Sequence, residues 1–352
     1  MLRRRVLRLG IVGLGYGVNV HLPALQTLDD VRVVALLGHS PERAQDIQAR
    51  TRIETYTGLA AFLDQELDAV TVAVPPGEVS AIVGAALQHG IPVLCEKPLG
   101  TTTQIAQTLA QLGQDLTTAI GFQYGGLDTF RAAVDLVHSR RIGGIRHVEI
   151  IWLTQSLAHR RRTGSWKTDS ARDGGVINLF ASHIFYQIEA AFGPAKRVLA
   201  HVDCRASSAL AREPSDQPAE DFIHAIVEHV QGTIVSMTIG NATAGHFGHR
   251  WVIAGESGTA VLENLETDPV RGFSLVARDA EGRVVQAVRE AQSEDGRVES
   301  FKRLAQRFLN AVRDGQPCRP DFRDGARVQQ LIDAARRSAA AQKWIEIANP
   351  GR

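Results

Sequence analysis

Residues 7–18 read LRLGIVGLGYGV: the apolar run Leu9-Gly10-Ile11-Val12 passes straight into Gly13-Leu14-Gly15-Tyr16-Gly17. A buried parallel strand that turns tightly into a helix has this pattern. Gly13 permits the tight turn, and Gly15 lets the backbone approach a pyrophosphate with no Cβ in the way. The dipole and unpaired N–H groups of the helix N-terminus then hold the anion. A glycine cluster alone also suits a packing turn. Its place after a strand and before the amphipathic His21-Leu22-Pro23-Ala24-Leu25 favours dinucleotide binding. The third position of the fingerprint holds Val18 rather than Gly or Ala, and Gly17 is expected to compensate in part.

Bulk properties narrow the remaining choices. At 352 residues the chain is long for one core and natural for two domains. A hydrophobic content of 44% and a charged content of 22% are those of an ordinary soluble globular protein. The net charge of +1 argues against a global nucleic-acid or membrane role. No apolar run approaches the length of a membrane span. Cys95, Cys204 and Cys318 are too few and too scattered for a disulfide framework or a zinc site, which suits a reducing cytoplasm. The opening MLRRRVLRLGIVGLG mimics a secretion signal. Its apolar run is the first strand itself, however, and no small-residue cleavage site separates the two.

A second buried strand is expected at Val31–Leu37. Dinucleotide folds carry an acidic residue near the end of this strand, roughly 20 residues past the glycines, to bind the adenosine ribose. Here the strand runs into Gly38-His39-Ser40-Pro41-Glu42-Arg43, with no carboxylate at the expected place. Gly38 followed by His39, Ser40 and Arg43 leaves room and donors for a 2′-phosphate, which favours NADP(H), with NAD(H) as the alternative. The same residues also suit a turn opening a helix near Pro41, with Ser40 as its N-cap. Residues 58–65 and 79–89 predict helices; Ala69–Val74 and Pro92–Cys95 predict strands. Short apolar strands alternating with helices make a parallel sheet covered on both faces, with ligands at the carboxyl ends of the strands. Two such ends carry Pro75-Pro76 and Glu96-Lys97-Pro98. A lysine directly after a buried strand sits where a nicotinamide ring and its substrate would meet. The bland alternative is a surface lysine paired with Glu96.

These residues resemble the Gfo/Idh/MocA family (glucose–fructose oxidoreductase, inositol dehydrogenase and rhizopine catabolism). The resemblance is carried by Gly13-x-Gly15, His21-Leu22-Pro23-Ala24-Leu25, Val93-Leu94-Cys95-Glu96-Lys97-Pro98-Leu99, Gly121-Phe122-Gln123-Tyr124 and the segment from Arg140 to Val148. Trp166-Lys167, Gly174-Gly175-Val176-Ile177-Asn178, Ser182-His183 and the segment from Phe322 to Val328 continue it, in order, over nearly the whole chain. It implies an α/β protein: an N-terminal Rossmann domain, placed at residues 1–123, and a C-terminal α/β domain with an open, mostly antiparallel sheet, at 124–352. It implies oxidation or reduction of a carbinol carbon in sugars, polyols or sugar nucleotides. Lys97 matches the family's catalytic lysine and His183 its general acid/base. The cofactor set implied is Gly13, Gly15, Tyr16, Gly17, Gly38, His39, Ser40, Arg43, Pro75, Pro76, Glu96, Lys97, Gln123 and Trp166. The substrate set is Lys97, Tyr124, Arg160, Arg161, Lys167, Asn178, His183 and Tyr186. The chain departs from the pattern at four places. Leu179 stands where many members carry an acidic residue, and Tyr186 where an aspartate is common. Gln123 and Gly125 replace the asparagine and arginine of a Phe-Asn-Tyr-Arg pattern.

In the second domain, the spacing of Phe130, Val134 and Val137 predicts a helix over 128–138, and Ile145–Leu153 alternates as a half-buried strand. Arg160-Arg161-Arg162 fall in an expected loop, either a solvated charge run or a clamp for an anionic substrate group. The apolar segment Val176–Phe192 predicts a helix carrying Asn178, Ser182, His183 and Tyr186. His183 there is either a core histidine or the group that exchanges an alcohol proton near neutral pH. Strands spaced from Val198 to Ala287, with turn signals at Gln231-Gly232, Glu256-Ser257-Gly258 and Glu281-Gly282, predict an antiparallel meander. Ala206–Glu220 reads as a loop, and His246-Phe247-Gly248-His249 as a loop or interface feature without enough ligands for a metal. Residues 299–313 and 324–341 predict amphipathic helices packing near the domain junction, and 343–347 a closing strand.

The sequence therefore predicts a cytoplasmic NAD(P)-dependent oxidoreductase for a small-molecule substrate, assembled as a homodimer or homotetramer. It predicts no metal, nucleic-acid or membrane partner. The alternatives are a ligand-sensing protein that keeps the cofactor fold without turnover, and glycosidase chemistry with a tightly held NAD.

Overall fold

A computed structural model describes residues 5–211, 216–291 and 293–348. It divides into two units, one of Met1–Gln123 with Arg297–Ala326, the other of Tyr124–Gly296 with Arg327–Arg352. The basic residues 1–4 of the signal-like opening, and 212–215 of the loop expected at Ala206–Glu220, lie outside the described residues.

The first unit alternates strand and helix: β1 (Leu7–Val12), α1 (Leu22–Gln26), β2 (Val31–Leu37), α2 (Pro41–Thr51), β3 (Glu54–Tyr56), α3 (Leu59–Leu63), β4 (Ala69–Val72), α4 (Pro76–Gln88), β5 (Val93–Cys95), α5 (Thr103–Leu112) and β6 (Thr118–Ile120). The six strands form a parallel sheet in the order β3-β2-β1-β4-β5-β6. This is a doubly wound sheet whose strand order reverses between β1 and β4, the place where such sheets bind ligands. β4 is buried at every residue and β1 at all but one, as strands covered on both faces require. Beneath them, Leu9, Ile11, Leu25, Leu36 and Leu94 share one apolar cluster with Phe301, Leu304, Phe308 and Leu309.

The second unit is built on α6 (Asp128–His138), β7 (Ile145–Leu153), α7 (Leu157–Arg161), α8 (Ser182–Phe192), β8 (Ala195–Asp203), α9 (Arg205–Ser208), β9 (Phe222–His229), β10 (Ile234–Gly240), β11 (Gly248–Gly255), β12 (Gly258–Asn264), β13 (Ser274–Asp279) and β14 (Val284–Arg289). After them in the chain come α10 (Gly296–Asp314), which from Arg297 on belongs to the first unit, α11 (Phe322–Ala341), which from Arg327 on belongs to the second, and β15 (Ile345–Glu346). The nine strands of this sheet run β14-β13-β12-β11-β7-β10-β9-β8-β15. The expected meander is thus two meanders flanking β7, which pairs antiparallel with β11 and parallel with β10. The inner face buries Val148, Ile150, Trp152, Val227, Met237 and Trp251. α11 is tied to this unit by Arg336 on Glu220 at 2.7 Å and by Ser338 Oγ, which accepts from the Ala200 amide at 2.9 Å.

Three local readings are corrected. The cationic run expected in a loop ends a helix: Arg160 and Arg161 close α7, and Arg162 caps it in the left-handed region at φ 50°. His249 is no loop feature either, since it lies fully inside β11, stacked on Trp152 at 4.4 Å. Part of the loop expected at Ala206–Glu220 is helical, as α9.

Candidate active site

In the first unit, β1 ends at Gly13, which takes φ +105° and abuts the Ala73 carbonyl just beyond β4, so that a Cβ there would collide with backbone. Only glycine meets both demands. Nothing lies within 4 Å of a Cβ built on Gly15, which leaves open space for a close backbone approach. Gly17 is buried, and its Cβ would fall 2.8 Å from Ile11 Cγ2. It therefore performs the strand-to-helix packing that the fingerprint assigns to its third glycine, displaced by one position from Val18. The helix opens with a wide turn of π type over Gly17–His21.

At the end of β2, Ser40 is the N-cap of α2: its Oγ accepts from the Arg43 amide and donates to Glu42 at 2.8 Å. Arg43 Nη2 donates to the Leu14 carbonyl at 2.9 Å, tying α2 to the glycine turn. His39 is exposed, and Leu14 fills the space beside Gly38, with Cγ 2.5 Å from a built Cβ. Backbone and Ser40 hydrogen bonds hold the Glu42 carboxyl below its ordinary range. Pro75 and Pro76 open α4 at the end of β4. Lys97 is half-buried directly after β5. Gln123 is buried; its Nε2 donates to Tyr16 Oη at 3.3 Å, while its Oε1 has no partner among the described residues.

The second unit places His183 in the first turn of α8, 5% exposed, with the Tyr124 ring edge-on at 4.7 Å. Ahead of α8, Gly175 (φ +100°) abuts the Glu220 carboxylate, and a π-type turn spans Ile177–Ala181. Asn178 is buried, its Nδ2 donating to the Asp173 carbonyl at 2.9 Å and its own carbonyl accepting from Ser182 Oγ at 2.8 Å. Tyr186 lies one turn beyond His183, with its ring against Gly125: a Cβ there would sit 2.6 Å from Tyr186 Cε1. Trp166 is half-buried with Lys167 Nζ 5.7 Å above its ring, whereas Arg160, Arg161 and Lys167 are exposed.

Residues 7–122 match the oxidoreductase family with an NAD-binding Rossmann fold, and residues 134–347 match that family's C-terminal alpha/beta domain. The chain belongs to the Gfo/Idh/MocA oxidoreductase family. An uncharacterized oxidoreductase of Synechocystis is 24% identical over 364 residues, covering 97% of this chain and 96% of the relative. The inositol 2-dehydrogenase of Rhizobium meliloti is 23% identical, covering 97% and 99%. Among solved structures, a levoglucosan dehydrogenase in complex with NADH and levoglucosan superposes with a TM-score of 0.86 at 20% identity, over 97% of this chain and 99% of that one.

The Gfo/Idh/MocA resemblance and the α/β class drawn from the sequence are borne out. The residues around the glycine turn also fit a dinucleotide: open space at Gly15, the packed Gly13, and the buried acceptor Gln123 Oε1. Among the described residues, no group of three or more His, Cys, Asp or Glu is arranged to hold a metal ion, and no helix is long and apolar enough to cross a membrane. Sequence reasoning quoted His21 without giving it a role, yet it is fully buried between Thr71 and Glu96. Its signal was a histidine closing an otherwise apolar first turn.

Proposed function

We propose that this chain transfers hydride between NAD(P) and a hydroxyl or carbonyl carbon of a sugar, polyol or sugar derivative, with Lys97 and His183 as catalytic residues. The observation that carries the reading is the seat of Lys97. It is half-buried and directly follows β5, at the carboxyl edge of the sheet whose β1 ends in the glycine turn. The nicotinamide, when bound, supplies the hydride donor or acceptor. The turn at Gly13 and Gly15 holds the pyrophosphate through backbone N–H groups. The Lys97 ammonium hydrogen-bonds the substrate oxygen and stabilises the charge that develops there. The His183 imidazole takes or returns the hydroxyl proton. The relative named for inositol and the neighbour holding levoglucosan support a polyhydroxylated substrate. With no carboxylate on Gly38, NADP(H) is favoured over NAD(H), and an anionic substituent of the substrate would be met by Arg160 and Arg161.

The test is a panel of sugars, inositols, sugar acids and sugar phosphates with NAD and NADP, read by nicotinamide absorbance. Lys97→Ala and His183→Ala should each lower kcat by about 10²–10⁴-fold while cofactor Kd changes little. Intact turnover in His183→Ala would make that residue a packed core histidine. Cofactor binding without any turnover would favour a sensor, and hydrolysis without net cofactor change a glycosidase.

The chain is further proposed to form a homodimer or homotetramer. One cross-strand row on the outer face of the nine-stranded sheet runs Leu199, Ile226, Ser236, Glu149, Val252, Val261, Val276, Ala287. Seven of the eight are half-buried, Ala287 is exposed, and six are apolar, a continuous patch of the kind that marks association. Light scattering should give a multiple of the chain mass that Val261→Asp reduces.

A further inference from the structure

His21 is a buried polar residue with both ring nitrogens engaged. Nδ1 lies 3.1 Å from Thr71 Oγ1 on β4, and Nε2 lies 3.4 Å from Glu96 Oε1 just after β5. The ring is fully buried, stacked on Phe301 of α10 at 3.7 Å and 7°, with Tyr16 edge-on at 5.6 Å. A carboxylate only accepts, so Nε2 carries the proton toward Glu96, and the Thr71 hydroxyl donates to Nδ1. The carboxylate is confined from its other side too: a Cβ on Gly121 would fall 2.7 Å from Glu96 Oε2. Glu96 thus has one seat, fixed from β4, β6 and the glycine turn, and the next residue is Lys97.

We propose that His21 and Glu96 are positioning residues for Lys97. The Thr71–His21–Glu96 chain anchors the carboxylate, which fixes the segment that presents the lysine. The proposal rests on the reading of Lys97 as catalytic. The titratable groups that face the carboxylate are His21 and Cys95, and Lys97 follows it in the chain. β4 contributes Thr71, the residue just past β6 is Gly121, and α10 contributes Phe301, none of them charged. A bland stacked histidine would pack equally well without a carboxylate. Here the glycine that makes room for that carboxylate argues for a role beyond packing.

The chain has only five lysines, Lys97, Lys167, Lys196, Lys302 and Lys343, so ¹³C-dimethylation of the full chain gives five lysine resonances to titrate by NMR, beside that of the α-amine, which titrates near pH ~8. Lys97→Arg assigns the relevant one. In Glu96→Gln the Lys97 midpoint should fall by about one pH unit, the size expected for losing a neighbouring opposite charge, with the thermal melt unchanged. Thr71→Val, which removes only the distal hydroxyl, should shift it in the same direction by less. With a substrate in hand, His21→Ala should lower kcat by about 10²-fold, as for a displaced catalytic group, with KM little changed. His21→Gln, which keeps an N–H donor, should restore most of that loss. If Glu96→Gln does not fold, Thr71→Val and Glu96→Asp carry the titration. A Lys97 midpoint identical in wild type and these variants overturns the proposal. A shifted midpoint with turnover untouched in Lys97→Ala would keep the coupling and sink the catalytic reading instead.

Discussion

At Gly38 the backbone leaves β2 against the Leu14 side chain, and on the proposed reading this is the contact that the cofactor's ribose would meet. Placing an aspartate there, the obvious route toward NAD, drives its Cβ to 2.5 Å from Leu14 Cγ. The single variant Gly38→Asp should therefore lose stability, and Gly38→Asp combined with Leu14→Ala should recover it while binding NADH more tightly than NADPH. The donors expected for a 2′-phosphate are also partly committed. Ser40 Oγ already serves the Arg43 amide and Glu42, and Arg43 spends one arm on Leu14. Glu42, ionised at neutral pH, stands against a 2′-phosphate at Ser40. Its removal in Glu42→Gln should tighten NADPH relative to NADH by about two- to fivefold, the range of an exposed charge pair. Equal Kd ratios for wild type and Glu42→Gln, by nicotinamide fluorescence, would count against a phosphate at Ser40.

At the scale of elements, two departures from the family pattern turn out to be one. Tyr186 fills the space that Gly125 leaves, so neither position can change freely. Gly125→Ala should cost about 1–3 kcal/mol through overpacking, and Tyr186→Ala in the same chain should relieve most of it. A denaturant double-mutant cycle reads the coupling, and additive effects would mean the ring moves aside at no cost. No sequence pattern showed this pairing, because the residues are 61 apart and their contact is tertiary. What was legible is local and periodic. The 3.6-residue spacing of Phe130, Val134 and Val137 gave α6 with its observed ends, and Ser40 was visible as the cap of α2. β3 and β6, three residues each, are too short to show a period. The insertion of β7 between two meanders depends on pairing with distant strands, and the π-type turns at 17–21 and 177–181 have no compositional mark. The candidate site residues could be named from the sequence only one by one. Its internal links, His21 on Glu96 and Tyr124 on His183, were not.

At the scale of the whole molecule, two buried histidines in the second unit should make the chain acid-sensitive. His249 Nε2 accepts from Trp251 Nε1 at 2.9 Å, so Nδ1 carries the proton, and burial pushes the pKa down to about 3. His229 Nδ1 donates to the Gly193 carbonyl at 2.7 Å, its Nε2 has no partner among the described residues, and burial lowers its pKa to about 4. Protonating either ring puts a charge into apolar surroundings, and at His249 it also replaces an acceptor with a donor facing the Trp251 N–H. In the unfolded chain both titrate near 6.5. Above that pH neither state binds the proton and both contribute full stability. Below it the unfolded chain gains protons that the folded chain refuses, so stability falls as pH drops from about 6.5 toward the folded values near 4 and 3. The slope contributed by each is at most about 1.4 kcal/mol per pH unit. Urea midpoints should therefore decline steadily from pH 7 to pH 5. His229→Gln, which keeps a donor for the Gly193 carbonyl but does not titrate, should flatten that decline by up to half even if it lowers stability at pH 7. A wild-type midpoint that does not change between pH 7 and pH 5 would mean that these rings accept protons in place, and that the second unit opens around them without unfolding.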